Sequence, residues 1–361
     1  WRPAAVDAGR ARSVYLGAHC DAPNLMGKTR RDQKTSDDRE TPRPREFTPA
    51  AYASALGITR AELDAHEREG RLPAPRRRTR GEVAQRSYTV DDLVAARAAL
   101  NLPAPIAAPR RQLFLNFKGG VGKTVIAANY AYRVARHGLQ VLAIDLDAQG
   151  HLTKCLGVEP DRQDRTLLDV LRDRVPIDQA SVKGVAGLPN LDLVPANLAL
   201  SPIEIILSQR NAREFQLKRA LDSAVGRYDV VVLDAPPNLS LLNLNAILAI
   251  DDLVIPVLTD YLSYDGLRIL FDNLRTIRDD FGFEPERIGI LINGFNAAES
   301  LSLQSRAAIE EFYGDLVMQT VIRKNTAIGQ STAEQRSVFE VAPSSKAARD
   351  IEQLVDELLG I

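Results

Sequence analysis

The heptapeptide Lys118-Gly119-Gly120-Val121-Gly122-Lys123-Thr124 lies between an apolar run, QLFLNF, and an amphipathic run that opens VIAANYA. A glycine-rich loop between a buried strand and a helix constrains the fold more than any other feature of the chain. Glycines let successive backbone NH groups turn inward around a phosphate, and the following helix adds the positive end of its dipole. In this arrangement Lys123 bridges terminal phosphates and the Thr124 hydroxyl reaches Mg2+. A glycine turn kept only for tight packing leaves both lysines, Lys118 and Lys123, unexplained.

The rest of the chain fits that loop. QLFLNF, LQVLAIDL, LDLVPA, YDVVVLDAPP, DDLVIPVL and RIGILING read as strands buried on both faces. The segments between them are long enough for crossover helices. The expected fold is therefore α/β, a doubly wound and mainly parallel sheet of the P-loop NTPase type, with ligands at the carboxyl ends of the strands. Two further motifs fall at such ends. VVVLDAPP places Asp234 where the water shell of Mg2+ needs an acidic partner. AIDLDAQGH places Asp145 and Asp147, two carboxylates of which one can support the metal and the other can orient an attacking water. Together with the loop they define a Mg-dependent nucleoside triphosphatase.

The spacing of Lys118 and Lys123 around the glycines resembles the deviant Walker A box of the ParA/MinD superfamily. DLDAQG, LDAPPNLSLLNLNAI and RKNTAIGQSTAEQRSVFEV are similar to other segments of that family, and the likeness spans Arg111 to Leu359. The resemblance implies a homodimer that sandwiches two ATP molecules, with Lys118 reaching the partner subunit's phosphates. It also implies that Asp147 orients water, that Asp145 and Asp234 serve the metal, and that Asn293 lies near the adenine. Val125 stands where the family commonly carries a second Thr or Ser, so only its backbone NH is left for the nucleotide. His151 stands where asparagine is frequent.

Formal charge divides the chain unevenly. Residues 1–110 carry 20 Lys and Arg against 14 Asp and Glu, whereas residues 111–361 carry 26 against 33. A polyanion is expected at the front. Residues 1–46 hold a long stretch of mixed charge and proline and are expected to be disordered. The chain starts at Trp1, and Met26 is an alternative start.

From Phe47 a helical unit is expected. Thr48-Pro49 opens a first helix that Gly57 ends, and Thr59 with Glu62 makes a capping box for a second that Gly70 ends. RRRTRGEVAQRSYTVDDL follows, an arginine-bearing turn before a third helix near Asp91. Residues 47–101 resemble the winged helix-turn-helix of MerR-like regulators and of partition ATPases with an operator-binding domain. That resemblance puts Thr59, Arg60 and Arg68 at a recognition helix. Arg76, Arg77, Arg78, Arg80 and Arg86 then become phosphate contacts on a wing. A solvated helical cap with no DNA role is the plainer alternative. Residues 102–110, rich in proline, are the expected linker, and 111–361 the ATPase domain.

Family members bind nonspecific DNA through their ATPase domain, which points to Arg275 and, after it, to Arg278, Arg323 and Lys324. Gly314 and Gln319 stand where relatives can be basic. Other classes fit less well. The terminal ARDIEQLVDELLGI is acidic and not the basic amphipathic helix of a membrane-bound relative. Cys20 and Cys155 match no cluster or metal spacing and read as reduced thiols. No tyrosine cluster follows Tyr313. The expected function is a DNA-segregation ATPase with a ParB-like stimulator, cytoplasmic and nucleoid-associated. Its cargo is a plasmid, a chromosome or a protein cluster; a transcription regulator with a nucleotide switch is the remaining alternative.

Overall fold

In the computed structural model, which describes residues 46–80, 83–102, 106–260 and 263–360, the apolar runs form a seven-stranded sheet. Its strands are β3 (Arg110–Phe114), β4 (Val141–Asp145), β5 (Leu191–Val194), β6 (Val230–Asp234), β7 (Asp252–Leu258), β8 (Arg287–Phe295) and β9 (Val317–Arg323). An antiparallel hairpin of β1 (Arg76–Arg80) and β2 (Val83–Ser87) precedes them. The sheet order is β5-β4-β6-β3-β7-β8-β9, and every pairing is parallel. Six of these strands correspond to the apolar runs read from the sequence. The seventh, β9, was not among them, because VMQTVIR alternates buried with partly exposed positions at the sheet edge and lacks a continuous apolar run.

Alternate residues of the central strands enter opposite layers. Val141 and Ala143 join one buried cluster and Leu142 and Ile144 the other. The first layer contains the helix that follows the glycine loop, Lys123–Arg136, and the helix Lys346–Leu359. The second contains Leu167–Asp173, Leu241–Ile247 and Ser263–Phe281. Because β4, β6, β3, β7 and β8 are neighbours in that order, five adjacent carboxyl ends deliver their loops to one edge of the sheet.

Ahead of the sheet lie α1 (Pro49–Leu56), α2 (Arg60–Arg68), the hairpin and α3 (Val90–Ala99). Local chemistry sets each boundary. Thr48 caps α1, and Gly57 closes it at φ 72°. Thr59 and Glu62 cap α2 reciprocally, and Thr89 and Asp92 do the same for α3. Each such cap contributes about 1 kcal/mol. Tyr52 and Tyr88 stack with centroids 4.0 Å apart, and Leu63 and Leu93 are fully buried.

This small unit packs against the far end of the helix that starts in the glycine loop. Arg136, the last residue of that helix, lies with its guanidinium 3.8 Å from the centre of the Phe47 ring. A Cβ at Gly138 would come within 2.7 Å of Leu93. The intervening helix, 14 residues long, spans about 21 Å. The disorder expected for residues 1–46 falls, but for Glu46, outside the described residues, as do Cys20 and Met26. Among the described residues no helix is long and apolar enough to cross a membrane.

Candidate functional site

The loop after β3 is shaped by glycines where no other residue fits. Gly120 and Gly122 adopt φ 75° and 87°, and a Cβ on Gly122 would lie 2.5 Å from Asn293 Nδ2. Asn293 donates that Nδ2 to the Val121 carbonyl at 2.8 Å, which fixes the loop from the end of β8. The contact seen for Asn293 is therefore with loop backbone. Gly119 and Gly120 are exposed, Val121 is buried, and Val125 offers backbone while its carbonyl accepts from Asn129 at 2.8 Å.

Both lysines converge on this loop from within the chain. Lys123 is buried, and its Nζ donates to the Lys118 carbonyl at 3.3 Å. Burial lowers the Lys123 pKa, opposed by the negative charge of Asp234 and Asp147. Lys118 donates its backbone NH to Asn116 Oδ1 at 2.9 Å. Its ammonium grips both oxygens of Asp260, at 2.8 and 2.7 Å. Asp260 follows β7 and was missed in the sequence, although an acid just beyond a strand's carboxyl end is the same signal that marks Asp145 and Asp234.

The carboxylates divide the work. Asp145 is fully buried; its Oδ1 accepts the Asp147 NH at 3.1 Å, and its Oδ2 accepts the Thr153 NH and hydroxyl at 2.8 and 2.7 Å. Both oxygens thus face protein donors, and Asp145, expected at the metal, braces the Asp147 loop. Asp147 is half-buried, with Oδ1 accepting the Gln149 NH at 2.9 Å. Asp234 differs from both. Its two oxygens are buried and accept no hydrogen bond of full geometry. Burial first, then the charge of Asp145, raises its pKa well above the ordinary value, while the Thr124 hydroxyl and the Lys123 ammonium favour the ionised form.

An unpartnered buried carboxylate is costly unless a cation or its water shell completes it. Asp234 beside Thr124 therefore fits Mg2+, which the two would hold together with nucleotide phosphates. Among the described residues no group of three His, Cys, Asp or Glu forms a metal cage. That agrees with Mg2+, which takes one or two protein groups plus phosphate and water.

Burial pushes Asp145 from its ordinary 3.8 up to about 7. A carboxyl whose folded pKa lies above its unfolded value gives stability that is complete below the unfolded pKa and is lost as pH rises through the folded one. The nucleotide-free protein should therefore lose stability between about pH 4 and about pH 7, by at most about 1.4 kcal/mol per pH unit for this group. Mg-ATP should flatten the slope, because a cation beside the carboxylates offsets their charge. Denaturant midpoints across that range, with and without Mg-ATP, measure it; a nucleotide-free midpoint that rises with pH over this window would contradict the assignment.

The arginines expected at DNA are not presented alike. Thr59 is engaged with Glu62, Arg60 pairs with Asp64 at 3.2 Å, and Arg68 donates to the Asp64 carbonyl at 3.1 Å. Arg86, expected on a phosphate, instead turns inward to Asp64 at 2.7 Å and to Glu67. Its partner position in the hairpin, Arg77, is exposed, as is Arg76, and neither has an ionic partner among the described residues. Arg78 and Arg80 lie on β1, and their side chains are outside the described residues. Arg275 is exposed and pairs with Asp272 at 3.1 Å. Arg278 pairs with Asp279, Lys324 with Glu299, and Arg323 with the buried Asp350.

A glycine loop at a helix start, a buried lysine under it, and an open carboxylate beside a threonine hydroxyl define a Mg-dependent P-loop nucleoside triphosphatase. The AAA domain family matches residues 112–285. The chain is 45% identical over 274 residues to cell division protein PomZ of Myxococcus xanthus, covering 76% of this chain and 85% of that protein. It is 32% identical over 243 residues to sporulation initiation inhibitor protein Soj of Bacillus subtilis, covering 67% and 95%. Cobyrinic acid a,c-diamide synthase from Mycobacterium smegmatis, solved with a bound ATP analog and magnesium, matches at TM-score 0.61 and 28% identity over 70% of this chain and 95% of that one. The chain belongs to the ParA/MinD family of P-loop ATPases. It is a ParA-like positioning or partition ATPase that uses ATP and Mg2+.

Proposed function

We propose that this ATPase dimerises on ATP, binds DNA, and positions a cargo on the nucleoid by cycling between bound and released states. The observation that carries the reading is the pair of lysines in one loop. Lys123 serves its own nucleotide, and Lys118, now held by Asp260, exchanges that partner for phosphates of a second subunit. The N-terminal unit is read as a winged helix-turn-helix spanning 47–101, joined through 102–110 to the ATPase domain. Arg76 and Arg77, with Arg78 and Arg80 on the same strand, supply phosphate contacts, and α2 supplies base contacts through Arg60 and Arg68. Arg86 supports that unit by bracing α2 against the hairpin. Arg275 is the proposed nonspecific contact of the ATPase domain. A ParB-like protein is the proposed stimulator, and Asp145, Asp147 and Asn293 complete the proposed nucleotide site.

A protein cluster stands beside a plasmid or chromosome as an alternative cargo, the relative matched at 45% identity being named a cell division protein. A transcription regulator with a nucleotide switch shares the same DNA unit and differs only in needing no cargo.

Duplex-DNA affinity of the full chain at two salt concentrations tests the division of labour. Replacing Arg76 and Arg77 by alanine should weaken binding to all sequences and reduce the log–log salt slope by about two. Arg60→Ala should instead narrow the preference for operator over random DNA by roughly 1–3 kcal/mol. Arg275→Ala should weaken only the ATP-dependent, sequence-indifferent component. If a chain beginning at Arg111 keeps all operator preference, the N-terminal unit is not the reader.

A further inference from the structure

At the end of the sheet opposite the nucleotide loop, the second helical layer opens into a groove of about 600 Å³. Its position follows from the topology. Arg227 sits three residues before β6 begins, whereas Asp234 ends that strand at the nucleotide edge. It is lined by Leu171, Val175 and Ala220 together with the polar Gln179, Gln216 and Ser223, and it carries Arg174, Arg219 and Arg227. Arg227 is neutralised by Asp178 at 2.8 Å. Arg174 and Arg219 are exposed and have no ionic partner among the described residues, in a domain where acids outnumber bases.

Arg174 is also held at a conformational cost. It follows the helix Leu167–Asp173 with φ 58°, the left-handed position that glycine takes most readily. A second guanidinium without an ionic partner, Arg219, lines the same groove. The geometry points to a docking site for an acidic amphipathic peptide segment of a partner protein. Its apolar side chains would cover Leu171, Val175 and Ala220, and its carboxylates would pair with Arg174 and Arg219. Charge complementarity selects this occupant. A phosphate backbone gains nothing from these apolar residues and brings continuous negative charge past Asp178, whereas a peptide places single carboxylates where the guanidiniums stand. The site is remote from the ATPase loop, and it does not depend on how the N-terminal unit binds DNA.

The test uses the full chain and a fluorescein-labelled peptide with leucines on one helical face and glutamates on the other. Controls are the same peptide with lysine for glutamate, and duplex DNA. Saturable anisotropy is expected with the acidic peptide and not with the lysine peptide, while duplex DNA, bound through the N-terminal unit, should be held equally by the parent and the double variant. Acidic-peptide binding should weaken roughly tenfold or more in a chain carrying Arg174→Gly and Arg219→Ala, as loss of two charge pairs in a partly desolvated groove implies. Arg174→Gly keeps the left-handed backbone, so the melting temperature should hold or rise, and basal ATP turnover should not change. Arg219→Ala alone should give an intermediate loss. Absence of acidic-peptide binding, equal binding to the double variant, or equal binding of the lysine peptide overturns the proposal. If duplex DNA is what the double variant loses, the groove is a phosphate contact and the peptide assignment fails.

Discussion

Asp147→Ala is expected to bind Mg-ATP within about threefold of the parent and to lose ATP turnover by roughly two to four decades. The structure separates the two effects. The elements that fit Mg-ATP, namely the glycine loop after β3, Lys123 and Thr124 at the start of the helix that follows it, and Asp234 at the end of the adjacent β6, do not need the Asp147 side chain for their position. The Asp147 backbone is held by its NH to Asp145, and alanine preserves that bond. What disappears is a half-buried carboxylate whose free oxygen is available to orient a water. The Gln149 NH that loses its acceptor is exposed and can hydrate, so the fold should tolerate the change. Nucleotide titration and single-turnover hydrolysis on the same preparation make the measurement. Unchanged turnover removes Asp147 from the chemistry; lost binding would make it part of the cradle instead.

Which parts were legible in the sequence follows from how locally each is encoded. The glycine loop, Asp147 and Asp234 sit within a few residues of strands whose apolar runs are unambiguous, and parallel topology then brings their carboxyl ends together. Capping was equally local, since Thr59 and Glu62 are three residues apart and find each other at 2.7 to 2.8 Å. Long-range pairing was not readable. Arg86 looked like one more wing arginine, yet Asp64 and Glu67 on α2 draw it inward across the hairpin. The motif alone left open which of Asp145 and Asp147 supports the metal, the resemblance gave that role to Asp145, and the Thr153 contacts show Asp145 as a brace. β9 lost its signal because an edge strand needs fewer apolar residues. The arginine-lined groove joins residues from Leu171 to Arg227 and has no motif at all.

The two loop lysines should separate cleanly when each is replaced by alanine. Lys123→Ala removes a buried ammonium from beneath the phosphates and leaves Asp234 without the positive charge that favours its ionised form. ATP affinity should fall roughly 100-fold or more, since charge-assisted contacts to phosphate in a water-poor cradle are among the strongest available. Lys118→Ala should behave differently. The contact from Lys123 is to the Lys118 carbonyl, and Asn116 holds the Lys118 NH, so both survive truncation of the side chain. Asp260 loses its ammonium but is 40% exposed and can be hydrated, so the fold should persist. Nucleotide affinity should therefore stay within a few-fold. If Lys118 acts across a dimer, ATP-dependent association should vanish, and hydrolysis should drop by roughly three decades, the scale of losing a charge supplied in trans. ATP titration, light scattering and turnover on both variants decide the matter. A Lys118→Ala chain that associates and hydrolyses like the parent would leave Lys118 as a structural partner of Asp260 and nothing more.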